Sequence, residues 1–284
     1  MSKAVEVKDL WVRYPGEEDY VVKGVDLEVD EGEFLLLMGP SGCGKTTLCY
    51  SILGIIPRTI KADLKGEVKV CGVNPAETEP SQLLEYVGIV FQNPEMQLVT
   101  TSVYEEVAFP LENLGLPPDE IRERVDEILG VVGLRGLERR SPASLSGGQK
   151  QALAIASVLA LRPRVIVMDE PTSQLDPAGT KRVTDLILKL RENYGVTIIA
   201  VEHRVEWAVE HVDRVAVMVD GKIVRAGAPK EVFSRRMEVE EVGFRPPQVS
   251  EIAYRLESKG VRLEEIPVTL GEAVEMFGRL LTHA

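Results

Sequence analysis

Gly39-Pro40-Ser41-Gly42-Cys43-Gly44-Lys45-Thr46 fits the pattern G-x-x-x-x-G-K-[ST], and its neighbours restrict what can be built around it. Upstream lies Phe34 to Met38, an unbroken apolar run that reads as a buried central strand. Downstream, a helical stretch from about Lys45 to Leu53 is stopped by Gly54 and Pro57. A buried strand passing through a glycine-rich turn into a helix implies an α/β core with a phosphate site at the strand end. The glycines let the backbone curl so that successive N–H groups converge on phosphate oxygens, and the helix N-terminus adds its dipole. Lys45 is placed to reach the β and γ phosphates of a nucleotide, and Thr46 has the hydroxyl expected to bind Mg²⁺. Without that context the same residues would be a tight turn rich in small side chains.

Val165-Ile166-Val167-Met168-Asp169-Glu170 is a second strand, apolar until it closes on two carboxylates. Strand ends are where ligands bind in open α/β sheets. Asp169 is expected to hold Mg²⁺ through water, and Glu170 to orient and deprotonate an attacking water. Taken alone, the acidic pair could equally be a solubilising cap. The phosphate loop upstream favours the chemical reading.

The rest of the chain arranges itself around these two strands. Val5, Val7, Leu10 and Val12, then Val25, Leu27 and Val29 after the Pro15-Gly16 turn, suggest two strands of a small antiparallel sheet. Between about Asn93 and Leu161 the pattern is helical. There Asp119 is a plausible N-cap, with Ile121, Val125, Ile128, Leu129 and Val132 on one face, as in an inserted helical lobe. Strand signals return at Val165 to Met168, Thr197 to Val201 and Val215 to Val219, and Asp220-Gly221 marks a hairpin turn. Arg245, Pro246 and Pro247 read as a linker. Beyond them Val249 to Leu281 has amphipathic helical spacing, in a segment too short for an independent domain.

Composition narrows the function classes. With 284 residues, 44% hydrophobic and 27% charged, the chain can bury one sizeable core, or a core with a smaller lobe. Its apolar stretches fall short of the roughly 18 residues that cross a bilayer. Met1 to Leu10 mixes Lys3, Glu6, Lys8 and Asp9 among apolar positions, so no secretory core is expected. Cys43, Cys49 and Cys71 have neither paired nor metal-ligand spacing, which suits a reducing cytoplasm. A net charge of -12 disfavours a phosphate-backbone interface, so no nucleic-acid partner is expected.

Leu145-Ser146-Gly147-Gly148-Gln149 precedes a helix-forming stretch, Lys150 to Leu161. A Ser-Gly-Gly start gives a helix N-terminus with a hydroxyl and bare amides. It is an anion site, or simply an N-cap. With this motif the sequence resembles an ABC transporter nucleotide-binding subunit, over about Val5 to Gly227. Ser41 to Thr47 lie in what corresponds to the Walker A loop, with Phe91-Gln92-Asn93-Pro94 as the Q-loop and Leu145 to Gln149 as the signature. Asp169 and Glu170 correspond to Walker B, Ser173-Gln174-Leu175-Asp176 to the D-loop and Glu202-His203 to the switch histidine. The resemblance implies a P-loop ABC ATPase core, with a small antiparallel β subdomain, an inserted helical subdomain and a C-terminal helical extension. It implies ATP and Mg²⁺ held by Gly39, Pro40, Ser41, Gly42, Cys43, Gly44, Lys45, Thr46 and Thr47, with Tyr14 stacked on adenine. Gln92 would join Thr46 and Asp169 at Mg²⁺ or meet the attacking water, and His203 would reach the γ-phosphate. Ser146, Gly147, Gly148 and Gln149 would close over ATP held by a second subunit, in a head-to-tail pair. His211 and His283 are read as structural. Ala152 stands where the family often has Arg, so any ion pair of that Arg is absent.

Two stretches point to a subgroup. Gln92 to Gln97 followed by Thr101 to Phe109, and the tail at Pro246 to Ala253, Gly260 and Ile266 to Leu270, are similar to ATPases of energy-coupling factor importers, including the cobalt and nickel uptake group. That resemblance implies an ATPase domain at 1–230, with a helical subdomain at about 93–162, and an extension at 231–284 that helps ATPases pair. It further implies a transmembrane coupling subunit and a substrate-binding membrane subunit, with this chain peripheral on the cytoplasmic face, energising uptake of a vitamin or transition-metal ion. An acidic docking groove near Glu95, Glu105 and Glu106 is expected for the coupling subunit. Other ABC importers share the catalytic motifs and are the alternative. Soluble ABC ATPases acting on ribosomes or DNA usually carry two cassettes or a coiled-coil insertion, and a phosphate-loop kinase would not need Leu145 to Gln149.

Overall fold

The side chains of β3 (Phe34–Met38) alternate between two apolar layers, with Phe34, Leu36 and Met38 entering one and Leu35 and Leu37 the other. A strand covered on both faces needs an apolar residue at every position, which accounts for the unbroken run. The computed structural model describes residues 2–203, 205–233 and 246–283, without the side chains of 281–283. β3 shares its sheet with β5 (Val87–Val90), β6 (Val165–Asp169), β7 (Thr197–Val201), β8 (Arg214–Val219) and β9 (Lys222–Gly227). The spatial order is β5-β6-β7-β3-β8-β9, parallel throughout except for the antiparallel edge strand β9. Asp220 and Gly221 make the β8–β9 turn with φ of 45° and 81°, the geometry that Asp-Gly favours.

One layer is formed by α1 (Lys45–Ile52) and an antiparallel sheet of β1 (Lys3–Arg13), β2 (Val22–Asp30) and β4 (Asp63–Val70), ordered β2-β1-β4. In β1 the buried residues Val5 and Val7 are followed by Leu10 and Val12, a change of parity that alternation alone forbids. A register shift between Val7 and Leu10 absorbs it, with Asp9 at φ 45°. Gly66 of β4 is pressed against this bulge, where an added Cβ would lie 2.3 Å from the Asp9 carbonyl oxygen. The short helices α2 (Ile55–Arg58) and α3 (Pro80–Leu83) complete the layer.

The other layer carries α4 (Val103–Asn113), α5 (Pro118–Val131), α6 (Gly147–Leu159) and α7 (Pro177–Tyr194). α5 buries Ile121, Val125, Ile128 and Leu129 as its spacing predicts, but Asp119 is not its N-cap. Pro117 caps the helix with Pro118 at its first position, so Asp119 lies inside the first turn and pairs with Arg122 at 3.3 Å. α8 (Pro229–Phe233), α9 (Gln248–Ser258) and α10 (Leu270–His283) follow. The amphipathic tail is therefore two helices rather than one stretch, with Gly260 at φ 88° in the connection. Buried Ser250 donates to the Pro267 carbonyl at 2.6 Å within the tail, and Lys230 of α8 pairs with Glu272 at 3.0 Å, which ties the tail to α8. Of the expected linker, Arg245 lies outside the described residues. Among the described residues no helix is long and apolar enough to cross a membrane.

Because β3 is packed on both faces, Leu36→Ala should destabilise the protein by about 2–5 kcal/mol, measured as a shift of the urea midpoint at unchanged slope. A loss below about 1 kcal/mol would contradict the packing described.

Candidate nucleotide-binding and hydrolytic site

The loop between β3 and α1 is closed by glycines that no other residue could replace. A Cβ on Gly39 would lie 2.0 Å from the Met218 carbonyl oxygen, and one on Gly44, at φ 106°, 2.8 Å from the Val21 carbonyl oxygen. Lys45 is buried, and its ammonium donates to the carbonyls of Gly39 and Pro40, both at 2.9 Å, with Cys43 Sγ at 3.7 Å. Main-chain carbonyls, not a carboxylate, hold this cation. α1 begins at Gly44 without a side-chain cap and without an acid in its first turn, so its leading amides stay available to an anion. Thr46 is exposed. Thr47 is buried, and its Oγ1 lies 3.0 Å from Tyr14 Oη, which brings Tyr14 to the side of the loop. An uncapped helix start, a buried ammonium, an exposed hydroxyl and the nearby Asp169 form a donor set that fits a magnesium-bound triphosphate.

β6 lies two strands from β3, and its last residues carry the acids. Burial is the main cause that raises the Asp169 carboxyl above its usual range, the Glu170 charge adds to it, and Lys45 opposes both. Glu170 takes φ 45°, sparsely populated for a residue with a side chain. Its N–H donates to Val201 at 2.9 Å, and Ser173 donates to its carbonyl from Oγ at 3.1 Å and from N at 3.2 Å. So held, each carboxylate oxygen of Glu170 meets one side chain. Gln92 Nε2 donates to Oε2 at 2.7 Å, and His203 Nε2 lies 3.3 Å from Oε1. Residues 78 and 33 positions from Glu170 along the chain are thereby brought to its carboxylate.

Glu202, next to His203, is a buried acid whose role residue type alone does not disclose. It is 1% exposed, and its Oε1 accepts from Thr172 Oγ1 at 3.0 Å, Trp207 Nε1 at 3.1 Å and Thr172 N at 3.4 Å. Burial is the dominant cause that pushes its carboxyl up to about 7, and Glu170 adds to it, against the three donors. The available signal in the sequence was an acid placed directly after an entirely apolar strand.

Ser146 caps α6 in a full capping box. Its Oγ accepts from Gln149 N at 3.4 Å while Gln149 Oε1 accepts from Ser146 N at 3.0 Å. This signature end of α6 lies in the layer of α4, α5 and α7, whereas the phosphate loop opens between β3 and α1. Ser146 to Gln149 pack toward α7, with Gly148 against Gly179 and Arg182, and among the described residues no hydrogen bond or ion pair joins them to Lys45. Ala152 packs in the core at 8% exposure, where an Arg would need a partner. His211 accepts from Arg191 through its carbonyl at 3.3 Å, and the His283 side chain lies outside the described residues.

Of the acids expected in a docking groove, Glu95 and Glu105 are exposed and Glu106 is not. Glu106 is buried, and its Oε2 accepts from Val99 N, Thr100 N and Thr100 Oγ1 at 2.9, 2.8 and 2.8 Å, closing the loop before α4. Glu95 pairs with Lys150, and Glu105 accepts from Thr101 Oγ1 at 2.6 Å. Apolar side chains are exposed on the same stretch, with Met96 at 80%, Val99 at 68% and Phe109 at 46%.

The Glu202 carboxyl has a pH consequence. Its folded value near 7 exceeds the unfolded 4.5, so as pH rises the unfolded chain loses its proton first, and stability falls between about 4.5 and 7. Glu202→Gln should abolish that fall, which is up to about 3 kcal/mol. Urea unfolding at pH 5 and pH 8 checks this, and an identical pH difference in both proteins would contradict it.

Residues 22–173 match the family model described as ABC transporter. The energy-coupling factor transporter ATP-binding protein EcfA1 of Clostridium novyi is 42% identical over 280 residues, covering 97% of this chain and 98% of its own. Among solved structures, cbiO1 from Clostridium perfringens, described as part of the ABC transporter complex cbiONQ, is 33% identical with a TM-score of 0.76, covering 90% of this chain and 100% of its own. The ATP-binding cassette MJ0796, solved as a dimeric post-hydrolysis state with ADP and Pi, is 32% identical with a TM-score of 0.66, covering 79% and 98%. The chain belongs to the ABC transporter family, as an ATP-binding and ATP-hydrolysing subunit of the energy-coupling-factor type.

Proposed function

We propose that this subunit energises uptake of a micronutrient, a cobalt or nickel ion or a vitamin, through an energy-coupling-factor importer at the cytoplasmic face of the membrane. The observation that carries the hydrolytic part is the convergence of Gln92 and His203 on the two oxygens of Glu170, at the strand end beside the phosphate loop. Glu170, fixed on both sides, orients water and takes its proton as the oxygen attacks the γ-phosphorus and ADP leaves. His203 contacts the γ-phosphate, and Gln92 reports the state of the site to the membrane partner. Lys45 turns from the loop carbonyls to the β and γ phosphates, the α1 amides hold them, and Tyr14 faces adenine. Thr46, Asp169 and Gln92 are the residues that would hold Mg²⁺, which supplies charge neutralisation on the phosphates when bound.

The separation of the Ser146 end from the phosphate loop supports a head-to-tail pair, with each ATP enclosed by one copy's loop and the other's Ser146 to Gln149. Both half-sites are complete in this chain, which supports a homodimer. Similarity to cbiO1 and EcfA1 supports a membrane coupling subunit and a substrate-binding membrane subunit as partners. The coupling subunit docks on the apolar patch of Met96, Val99 and Phe109, where burial of exposed apolar side chains drives association.

Glu170→Gln should bind ATP with parent affinity and lower kcat by about a hundredfold or more, whereas Lys45→Ala should weaken nucleotide binding itself. Parent-rate hydrolysis by Glu170→Gln would refute its role as base. Separately, Met96→Glu with Val99→Glu should reduce co-purification of the membrane subunits while leaving basal ATP hydrolysis of the free subunit unchanged. Full recovery of the complex would refute the docking patch.

A further inference from the structure

The hydrolytic reading uses Glu170 and His203 and leaves Glu202 without a task, although it is the costlier residue to bury. A carboxyl group withdrawn from water is retained only where fixed partners need it, since an apolar residue fills the same space more readily. Here the partners are specific. Just beyond the end of β7 the two neighbouring side chains diverge, His203 to Glu170 and Glu202 to Thr172 and Trp207. Three donors meet on Glu202 Oε1, two of them from Thr172, and Glu202 N donates to the Leu37 carbonyl of β3 at 3.3 Å, two residues before the phosphate loop.

Thr172 is the root of the loop 173–176. Its carbonyl accepts from Leu175 N at 3.1 Å, and the loop ends where Asp176 caps α7 by accepting from Gly179 N at 2.6 Å. The same loop touches the base from its other side, since Ser173 Oγ donates to the Glu170 carbonyl at 3.1 Å. A single carboxylate oxygen therefore joins the strand end that carries His203 to the loop that supports Glu170.

We propose that Glu202 is a positioning residue for ATP hydrolysis, which ties the backbone of His203 to Thr172 so that the imidazole, the Glu170 carboxylate and the 173–176 loop keep one mutual spacing. The proposal rests on the reading of Glu170 and His203 as the hydrolytic pair. Its effect falls on turnover rather than on nucleotide affinity, because Glu202 faces away from the phosphate loop and touches none of the residues assigned to ATP.

The test compares full-length Glu202→Leu, Glu202→Gln, Thr172→Val and Thr172→Ser with the parent, measuring kcat and KM for MgATP and the Kd of a fluorescent ATP analogue. Glu202→Leu should lower kcat about tenfold or more with analogue Kd within about twofold, whereas Glu202→Gln, which keeps the acceptor oxygen, should stay within about threefold of the parent. Thr172→Val should lower kcat about three- to tenfold and Thr172→Ser should restore it. A leucine variant at parent kcat, a glutamine variant as slow as the leucine one, or a loss of affinity equal to the loss of kcat overturns the proposal. Where the leucine variant does not fold, the threonine pair decides, and equal kcat for Thr172→Val and the parent overturns it. Glu170→Gln is measured alongside, since parent-rate hydrolysis there refutes the reading of Glu170, whereas the Glu202 and Thr172 series is judged on its own kcat and KM.

Discussion

Everything in the site depends on the parallel pairing of β6, β7 and β3. Asp169 lies opposite Val201 and Val201 opposite Leu37, so the three chains leave the sheet at the same level. From that edge β3 continues into the phosphate loop, β6 into Asp169 and Glu170, and β7 into Glu202 and His203. A parallel ladder of apolar strands needs cover on both faces, which α1 with the small sheet and the α4–α7 layer provide. Packing on the two faces of the sheet thereby sets the distances among Lys45, Glu170 and His203.

The edge gathers three carboxylates, Asp169, Glu170 and Glu202, with the buried Lys45 ammonium close to Asp169. Each acid is partly taken out of water, and two are shifted toward their neutral forms by burial and by Glu170. Such a concentration of like charge is unfavourable in the folded chain by itself. A divalent cation held beside Asp169 would offset that repulsion locally, while Lys45 and the α1 amides would face the anionic phosphates. Folding therefore holds the acids in place in advance of the ligand, with Gln92, His203, Thr172 and Trp207 fixing their orientation.

How much was legible in the sequence follows from how local each signal is. The phosphate loop, the acids after Met168 and the Ser146 capping box are contiguous, so their spacing alone announced them. β3, β6, β7 and β8 were visible as apolar runs, but β4 and the four residues of β5 were not read. β5 contains Gly88, whose hydrogen faces Val158 where a Cβ would lie 2.4 Å away, and a four-residue strand with a glycine has little pattern to show. Asp119 was misread as a cap because Pro117 and Pro118 set the start of α5 by their fixed φ. Glu106 was misread as a docking charge because nothing local shows that loop amides at Val99 and Thr100 converge on it. Glu202 has the same cause, since its partners lie 30 residues upstream in the chain and five downstream.

The central claim is that each ATP is enclosed by the phosphate loop of one copy and the Ser146 end of another. Two tagged forms of the chain, one with Ser41→Cys and the other with Ser146→Cys, would be mixed and oxidised with and without MgATP. A disulfide joining the two forms, formed only with MgATP, is the expected result. Absence of that product with MgATP, or its formation to the same extent without MgATP, would contradict the account.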